Sequence, residues 1–260
     1  METKVTIIGA GNVASHLAPA LEKAGYIISE IYSRRVDKAE KISQNLYSAT
    51  TSDNLDFSAS DSVLFIIAVS DHAITQIAGE IVLPDQCLIV HTSGSIPMSV
   101  LELTASDSIG VLYPLQTFSK SRKKSFYEIP VLIEANTPEG LAMLEQAGKS
   151  LSKRVAQADS EKRLQFHLAA VFVNNFVNHM LTIGNEITTE NDLDFNLLEP
   201  LVKETVDKAL EIGASGSQTG PAIREDYTTM EMHTELLDEN ESYQQLYKTI
   251  TKSIIDSKNL

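Results

Sequence analysis

The stretch Val5-Thr6-Ile7-Ile8-Gly9-Ala10-Gly11-Asn12-Val13-Ala14 decides the fold. Its first four residues, mostly β-branched, make a short buried strand, and two glycines separated by a single alanine end that strand abruptly. The first glycine permits a tight turn. The second lets the backbone N–H groups of Asn12 and Val13 approach a pyrophosphate. Ala14 is small enough for the next helix to lie against the sheet, and that helix turns the positive end of its dipole toward the phosphates. Such a string by itself is weak, since a strand-to-helix turn need bind nothing; the apolar strand before it and the amphipathic helix from Val13 to Ala24 give it weight. Gly9, Gly11, Asn12 and Val13 are therefore candidate cofactor contacts.

Outward from this turn, short apolar runs alternate with helical patterns. Strands are expected at Val5-Ile8, Ile27-Tyr32, Val63-Val69, Leu88-His91, Ile109-Tyr113 and Val131-Ile133, with a weak one near Val155. Helices are expected around Asn12-Ala24, Asp37-Gln44, Asp71-Ile81, Met98-Leu103 and Pro138-Ser150, with Asp71 as an N-cap whose carboxylate takes first-turn amides. That alternation is the signature of a mostly parallel sheet with helices on both faces. After Asp159 only helical periodicity remains, near Ser160-Glu190, Phe195-Ile212, Thr219-Asp226, Met230-Leu237 and Ser242-Ser257. The expected class is α/β: a Rossmann-like dinucleotide-binding domain over residues 1–157, then an all-helical substrate and dimerisation domain over 158–260.

Composition narrows the possible partners. Apolar residues make up 43% of the 260 and charged residues 22%, as in a soluble globular protein, and no window is long and apolar enough to span a membrane. A cytoplasmic setting is expected. The net charge is −14, with 18 acidic against 8 basic residues beyond Ala158, and such a surface repels nucleic acid and anionic lipid. The single cysteine, Cys87, sits in an apolar run and packs as a small hydrophobe, so no thiolate metal site is expected.

The end of the second strand bears on the choice of cofactor. An NAD enzyme places Asp or Glu there for the ribose hydroxyls, whereas this chain has Ser33-Arg34-Arg35 and then Lys38, which suits a 2′-phosphate and so NADP. The segment Ala68-Val69-Ser70-Asp71-His72 runs beside the adenine-side ribose and pyrophosphate, so Val69 and Ser70 are expected to touch cofactor. His91-Thr92-Ser93-Gly94-Ser95-Ile96-Pro97 brings small donors to the carboxyl edge, where open α/β sheets bind ligands. The segment is expected to face the nicotinamide, with Ser93 a candidate for both cofactor contact and chemistry, Ser93 and Ser95 able to hold a substrate oxygen and Gly94 allowing close approach of the ring. The alternative is a Ser/Gly turn leading to a helix with Pro97 at its first position. One strand later comes Tyr113-Pro114-Leu115-Gln116-Thr117-Phe118, followed by a basic loop from Ser119 to Ser125 that could close over an anion or remain solvated.

On the first long helix of the second half, His167, Asn174 and Asn178 fall within about 20° of one another on a helical wheel. His167 is the side chain best suited to proton transfer near neutral pH, and Asn174 would orient substrate. The alternative is a set of interhelical hydrogen bonds. Further on, Arg224 could clamp a carboxylate or phosphate or simply pair with Glu225 or Asp226, and His233 shares a helical face with Thr229.

With these residues laid out, the chain resembles the superfamily of two-domain NADP oxidoreductases that includes 6-phosphogluconate and 3-hydroxyisobutyrate dehydrogenases, pyrroline-5-carboxylate reductase and deazaflavin-dependent NADP reductase. It is most similar to a branch that joins a Rossmann-like domain to a helical C-terminal domain of unknown function. The likeness rests on His91-Thr92-Ser93-Gly94-Ser95, Pro114-Leu115-Gln116-Thr117-Phe118, Asn174-Asn175 and Gly220-Pro221 with Arg224, Asp226 and His233. It implies NADP as cofactor, a small-molecule substrate and a homodimer. The hydroxyacid dehydrogenases place a catalytic lysine four residues before an asparagine on the first long helix; counting back from Asn175 gives Val171. Acid/base work thus falls to His167 or His233. The functional expectation is hydride transfer between nicotinamide and a small polar substrate, and the alternative is a catalytically idle NADP-binding or sensing protein.

Overall fold

The computed structural model describes residues 3–119, 121–122 and 124–257, so Lys120 and Lys123 of the basic loop lie outside the described residues. Two compact units form, Met1–Asn175 and Phe176–Leu260.

The first unit is built on one eight-stranded sheet: β1 (Lys4–Ile8), β2 (Ile27–Tyr32), β3 (Thr50–Ser52), β4 (Leu64–Ile67), β5 (Leu88–His91), β6 (Ser108–Pro114), β7 (Val131–Ala135) and β8 (Val155–Gln157). The order β3-β2-β1-β4-β5-β6-β7-β8 is that of a Rossmann sheet extended on one side. Every pairing is parallel except β6 with β7. Strand order reverses between β1 and β4, which is where such sheets open a crevice at their carboxyl ends. The β3 strand is absent from the sequence reading because Thr50-Thr51-Ser52 is a polar edge strand with no apolar run to mark it.

Helices α1 (Asn12–Lys23), α2 (Val36–Ser43) and α4 (Pro138–Leu151) pack Leu17, Leu21, Ile42, Leu144 and Ala147 into one core. Helix α3 (Asp71–Glu80) packs Ile74 and Ile77 into a second core with Ile8, Phe65, Ile67 and Ile89. Central strands buried on both faces need apolar side chains at every position, and Leu64, Phe65, Ile66 and Ile67 are all fully buried. Each such side chain contributes about 1.5–3 kcal/mol.

Local signals end and start the helices as their chemistry requires. Gly25 takes φ +95 after α1, and the Tyr26 N–H reaches back to the Leu21 carbonyl at 3.1 Å, a Schellman-type stop. Thr137 caps α4 by accepting from the Gly140 N–H, with Pro138 in the first turn, and Asp159 caps α5 (Ser160–Ala170) by accepting from Lys162. Cys87 is buried, and burial pushes its thiol pKa up, which makes it inert.

Between α5 and α6 (Val177–Glu190), residues Val171–Phe176 form a π-helical segment instead of the single α-helix expected from Ser160 to Glu190. A π turn takes in more residues than an α turn. The uninterrupted α-helical spacing on which the expected stripe of His167, Asn174 and Asn178 depends is therefore absent.

The second unit continues with α7 (Glu199–Ile212), α8 (Ala214–Ser217), α9 (Pro221–Arg224), α10 (Tyr227–Leu236) and α11 (Glu241–Ser257). Glu225, in the left-handed region at φ +56, separates α9 from α10. Only Ala222 and Met230 are buried hydrophobics among the described residues of this unit, while Leu201, Leu210 and Leu236 stand open to solvent. No helix among the described residues is long and apolar enough to cross a membrane.

Candidate functional site

The glycine turn meets its geometric requirements one residue at a time. Gly9 lies at φ +120, its N–H donates to the Tyr32 carbonyl at 2.8 Å, and a Cβ there would sit 2.4 Å from the Ala68 carbonyl oxygen. The protein itself demands glycine at this position. Gly11 differs: its φ of −84 suits any residue, and a Cβ there would lie 3.7 Å from the Ala68 oxygen, an ordinary contact. Packing does not explain the second glycine. The space a side chain would take there is the space a pyrophosphate needs, beside a first helical turn that no side chain caps. The residues present thus fit a dinucleotide.

At the end of β2, the Arg35 guanidinium is committed to Asp37 by two hydrogen bonds of 3.1 and 3.0 Å, which hold the Asp37 carboxyl below the usual range. Ser33 accepts from the Arg35 N–H. Arg34 is exposed and makes no ion pair among the described residues, so of the two guanidiniums it is the one open to a 2′-phosphate. The Arg35 pair is exposed on both sides and costs little to exchange.

At the carboxyl edge of β5, Ser93 is buried and its hydroxyl accepts from the N–H groups of Ser95 and Ile96, each at 3.1 Å. His91 is wholly buried: its Nδ1 accepts from the Ser93 N–H at 3.2 Å, and its Nε2 has no partner at hydrogen-bond distance. Burial first, and then the nearby Arg163 cation, pull its pKa down to about 4, while the Pro97 carbonyl and Asp71 oppose the shift. His91 is therefore neutral at physiological pH and shapes the loop.

Asp71 does not play its expected part. The N-cap of α3 is Ser70, no side chain caps the helix, and the Asp71 carboxylate instead accepts from the Ser95 hydroxyl at 2.6 Å. The Ser70 hydroxyl meets His72 Nε2 at 3.2 Å.

Tyr113, at the end of β6, carries a role that sequence reasoning missed. Its hydroxyl lies 3.1 Å from His167 Nδ1, and the two rings meet edge to face at 6.2 Å. Gly94 is the floor of this pair, since a Cβ there would sit 2.7 Å from the Tyr113 ring and 2.8 Å from His167 Nδ1. The ring that Gly94 admits is thus a side chain of this protein. Burial, with Asp71 adding to it, raises the Tyr113 pKa, so the phenol stays protonated. An aromatic residue ending a central strand at the ligand edge was the available signal.

Arg163 was missed as well. It is 1% exposed; it pairs closely with Glu134 on β7, donates to the Ile96 carbonyl at 2.6 Å, and shares Ser160 with Glu134. This buried network ties α5, and with it His167, to the Ser93 loop. Asn174 is exposed and donates to its neighbour Asn175 at 3.3 Å, with no hydrogen bond to His167 among the described residues.

In the second unit, His233 Nδ1 lies 2.9 Å from the Tyr247 hydroxyl, and the rings again meet edge to face. Asp226 caps α10, accepting from the Thr229 N–H and hydroxyl, which lower its pKa. Arg224 ends α9 near Asp226 without a salt bridge between them.

Residues 4–94 match the family described as NADP oxidoreductase, coenzyme F420-dependent, and residues 129–254 match a domain of unknown function, DUF2520. A crystal structure from Bacteroides fragilis assigned as an NADP oxidoreductase is 39% identical, with 98% of each chain covered and a TM-score of 0.90. A protein from Thermotoga maritima is 22% identical, over 98% of this chain and all of the other, with a TM-score of 0.79. A reductive aminase from Aspergillus terreus, solved with NADPH and ethyl-5-oxohexanoate, shares the fold at 14% identity and a TM-score of 0.74, covering 99% of this chain and 95% of that one. No curated protein matches the chain. The glycine turn, the Rossmann strand order and the full-length likeness place this chain in the family of NADP oxidoreductases that carry a DUF2520 C-terminal domain.

Proposed function

We propose that this protein is an NADP-dependent oxidoreductase that moves hydride between nicotinamide and a small polar substrate, with His167 moving the proton. The observation that carries this reading is the Tyr113–His167 pair over Gly94, in the same unit as the glycine turn. Bound NADPH supplies the hydride. Gly9, Gly11, Asn12 and Val13 hold the pyrophosphate, Ser33 and Arg34 take the 2′-phosphate with Arg35 beside them, and Val69 and Ser70 line the ribose.

In this arrangement His167 Nδ1–H donates to the Tyr113 oxygen, which leaves the Nε2 lone pair free to take a proton and, once protonated, to give it up. Nε2 is then the atom that gives up or takes a proton. Ser93, whose oxygen accepts from two backbone N–H groups and lies 3.4 Å from the Ser95 hydroxyl, turns its O–H from Ser95 to a substrate oxygen or nitrogen. Ser95, Asn174 and Arg224 orient the substrate, and His233 is a second candidate acid. Orientation alone accounts for much of the acceleration of such reactions. The keto ester seen with the reductive aminase of like fold adds carbonyls and imines to the compounds worth trying.

In this reading the protein works as a homodimer in the cytosol, with a second copy covering exposed apolar side chains of α5 such as Leu164 and Leu168, which are 46% and 52% exposed in the single chain. Sedimentation velocity that finds only monomer at micromolar concentration overturns the dimer.

The enzymatic reading is tested by nicotinamide absorbance over a panel of aldehydes, ketones, imines and hydroxyacids. Turnover of at least one class, lost on His167→Ala, is expected. NADPH binding with no oxidation across the panel favours a sensor instead, and undiminished turnover by the His167→Ala/His233→Ala double variant refutes the proton assignment.

A further inference from the structure

We infer that Asp71 is the counter-ion for a positively charged nitrogen of the substrate, so that the reacting end is a protonated imine or amine and not a carboxylate. The inference rests on the oxidoreductase reading above. It begins from the failed cap: a first-turn aspartate is ordinarily spent on its own helix, but this carboxylate reaches across to the loop after β5 and takes the Ser95 hydroxyl at 2.6 Å. One hydrogen bond uses one of about four lone-pair positions on a carboxylate. The Ser95 contact orients the group and leaves it able to accept more.

The charges around Gly94 do not otherwise balance. Arg163, which holds the Ile96 carbonyl of this loop, is neutralised by Glu134. His91 is neutral and gives its Nδ1 to the Ser93 N–H. Tyr113 keeps its proton and is paired with His167, and His72 turns to Ser70. Asp71 itself makes no ion pair among the described residues. Its field reaches the site, for it acts on both Tyr113 and His91. The Asp71 carboxylate thus leaves a negative charge at this edge that no ion pair among the described residues balances. A carboxylate substrate would meet repulsion there, and a protonated nitrogen would meet attraction. The same charge could instead face the oxidised nicotinamide ring, and the experiment separates the two cations.

Full-length protein loaded with NADPH is titrated calorimetrically, at neutral pH, with pyrrolidine as a cation that cannot be reduced, cyclopentanol as its neutral counterpart and cyclopentanecarboxylate as an anion. Pyrrolidinium is expected to bind about tenfold tighter than cyclopentanol, the effect of one partly screened charge pair. Asp71→Asn, which can still accept from Ser95, removes that preference and leaves NADPH affinity unchanged. Ser95→Ala, which keeps the charge, retains most of the preference and guards against a general loss of fold. Undetectable binding of pyrrolidinium, tighter binding of the carboxylate, or a pyrrolidinium affinity unmoved by Asp71→Asn each overturns the inference. A loss of NADP⁺ affinity relative to NADPH, with pyrrolidinium unmoved, assigns Asp71 to the nicotinamide and also overturns it. Failure of wild-type protein to bind NADPH is a different result, and refutes the oxidoreductase reading itself.

Discussion

Replacing each glycine of the first turn by alanine separates folding from binding. At Gly9 a methyl group would stand 2.4 Å from the Ala68 carbonyl oxygen and 2.8 Å from its carbon, on a backbone at φ +120. The conformational strain costs about 1–3 kcal/mol, and crowding against fixed backbone adds about 1–3 kcal/mol more. In a chain of this size that lowers Tm by roughly 5–20 °C. At Gly11 the nearest protein atom would be 3.7 Å away and φ is −84, so neither cost arises. Gly11→Ala should even gain a few tenths of a kcal/mol by restricting the unfolded chain. Its cost falls on the ligand, because a methyl group standing among the first-turn amides removes at least one charge-assisted hydrogen bond to phosphate. That is about 1.5–3 kcal/mol, or about 10- to 150-fold in Kd. Differential scanning calorimetry and NADPH fluorescence titration on both variants read the two effects separately. A Gly11→Ala protein that keeps its Tm and binds NADPH as tightly as wild type refutes the assignment of this turn to a pyrophosphate.

Three further outcomes follow from other contacts. Arg34→Ala should lower the preference for NADPH over NADH by about tenfold or more, the loss of one charge-assisted pair, whereas Arg35→Ala should lower it less because Asp37 already occupies that guanidinium; equal NADPH-to-NADH affinity ratios in wild type and Arg34→Ala contradict this. Glu134→Gln strands the Arg163 cation, which is 1% exposed, and should cost about 3–5 kcal/mol in urea unfolding, with most of it recovered in the double variant Arg163→Met/Glu134→Leu. His91 has a folded pKa of about 4 against an ordinary 6.5, so the unfolded chain binds the proton first as pH falls. The stabilisation it gives is whole above about pH 6.5 and is lost down to about pH 4, amounting to about 3 kcal/mol. His91→Asn should flatten that part of the stability curve, and an unchanged slope would mean that His91 titrates normally.

What could be read from the chain was what is contiguous along it. The Val5–Ala14 turn declares itself because strand, glycines and helix start are adjacent, and the central strands declare themselves because burial on both faces forces runs such as Leu64-Phe65-Ile66-Ile67. The edge strand Thr50–Ser52 has no such need and left no mark. The π segment Val171–Phe176 is also silent, since its residues suit an α-helix equally well. Within the candidate site, the residues at the sheet's carboxyl edge could be named but their partners could not. Tyr113 meets His167 across 54 positions, Arg163 meets Glu134 across 29, and Ser95 takes Asp71 away from its helix across 24.

Gly94 shows why that difference matters for function. The sequence shows a glycine beside two serines at a ligand edge, and a ligand ring is the natural tenant to assign. The structure shows Tyr113 and His167 at that place, so the glycine makes room for this side-chain pair. Once Tyr113 fixes His167 from Nδ1, Nε2 is the nitrogen left for chemistry. The lysine missing at Val171 then ceases to argue against catalysis. Within the proposed reading, proton transfer rests on His167 and does not require a lysine at Val171.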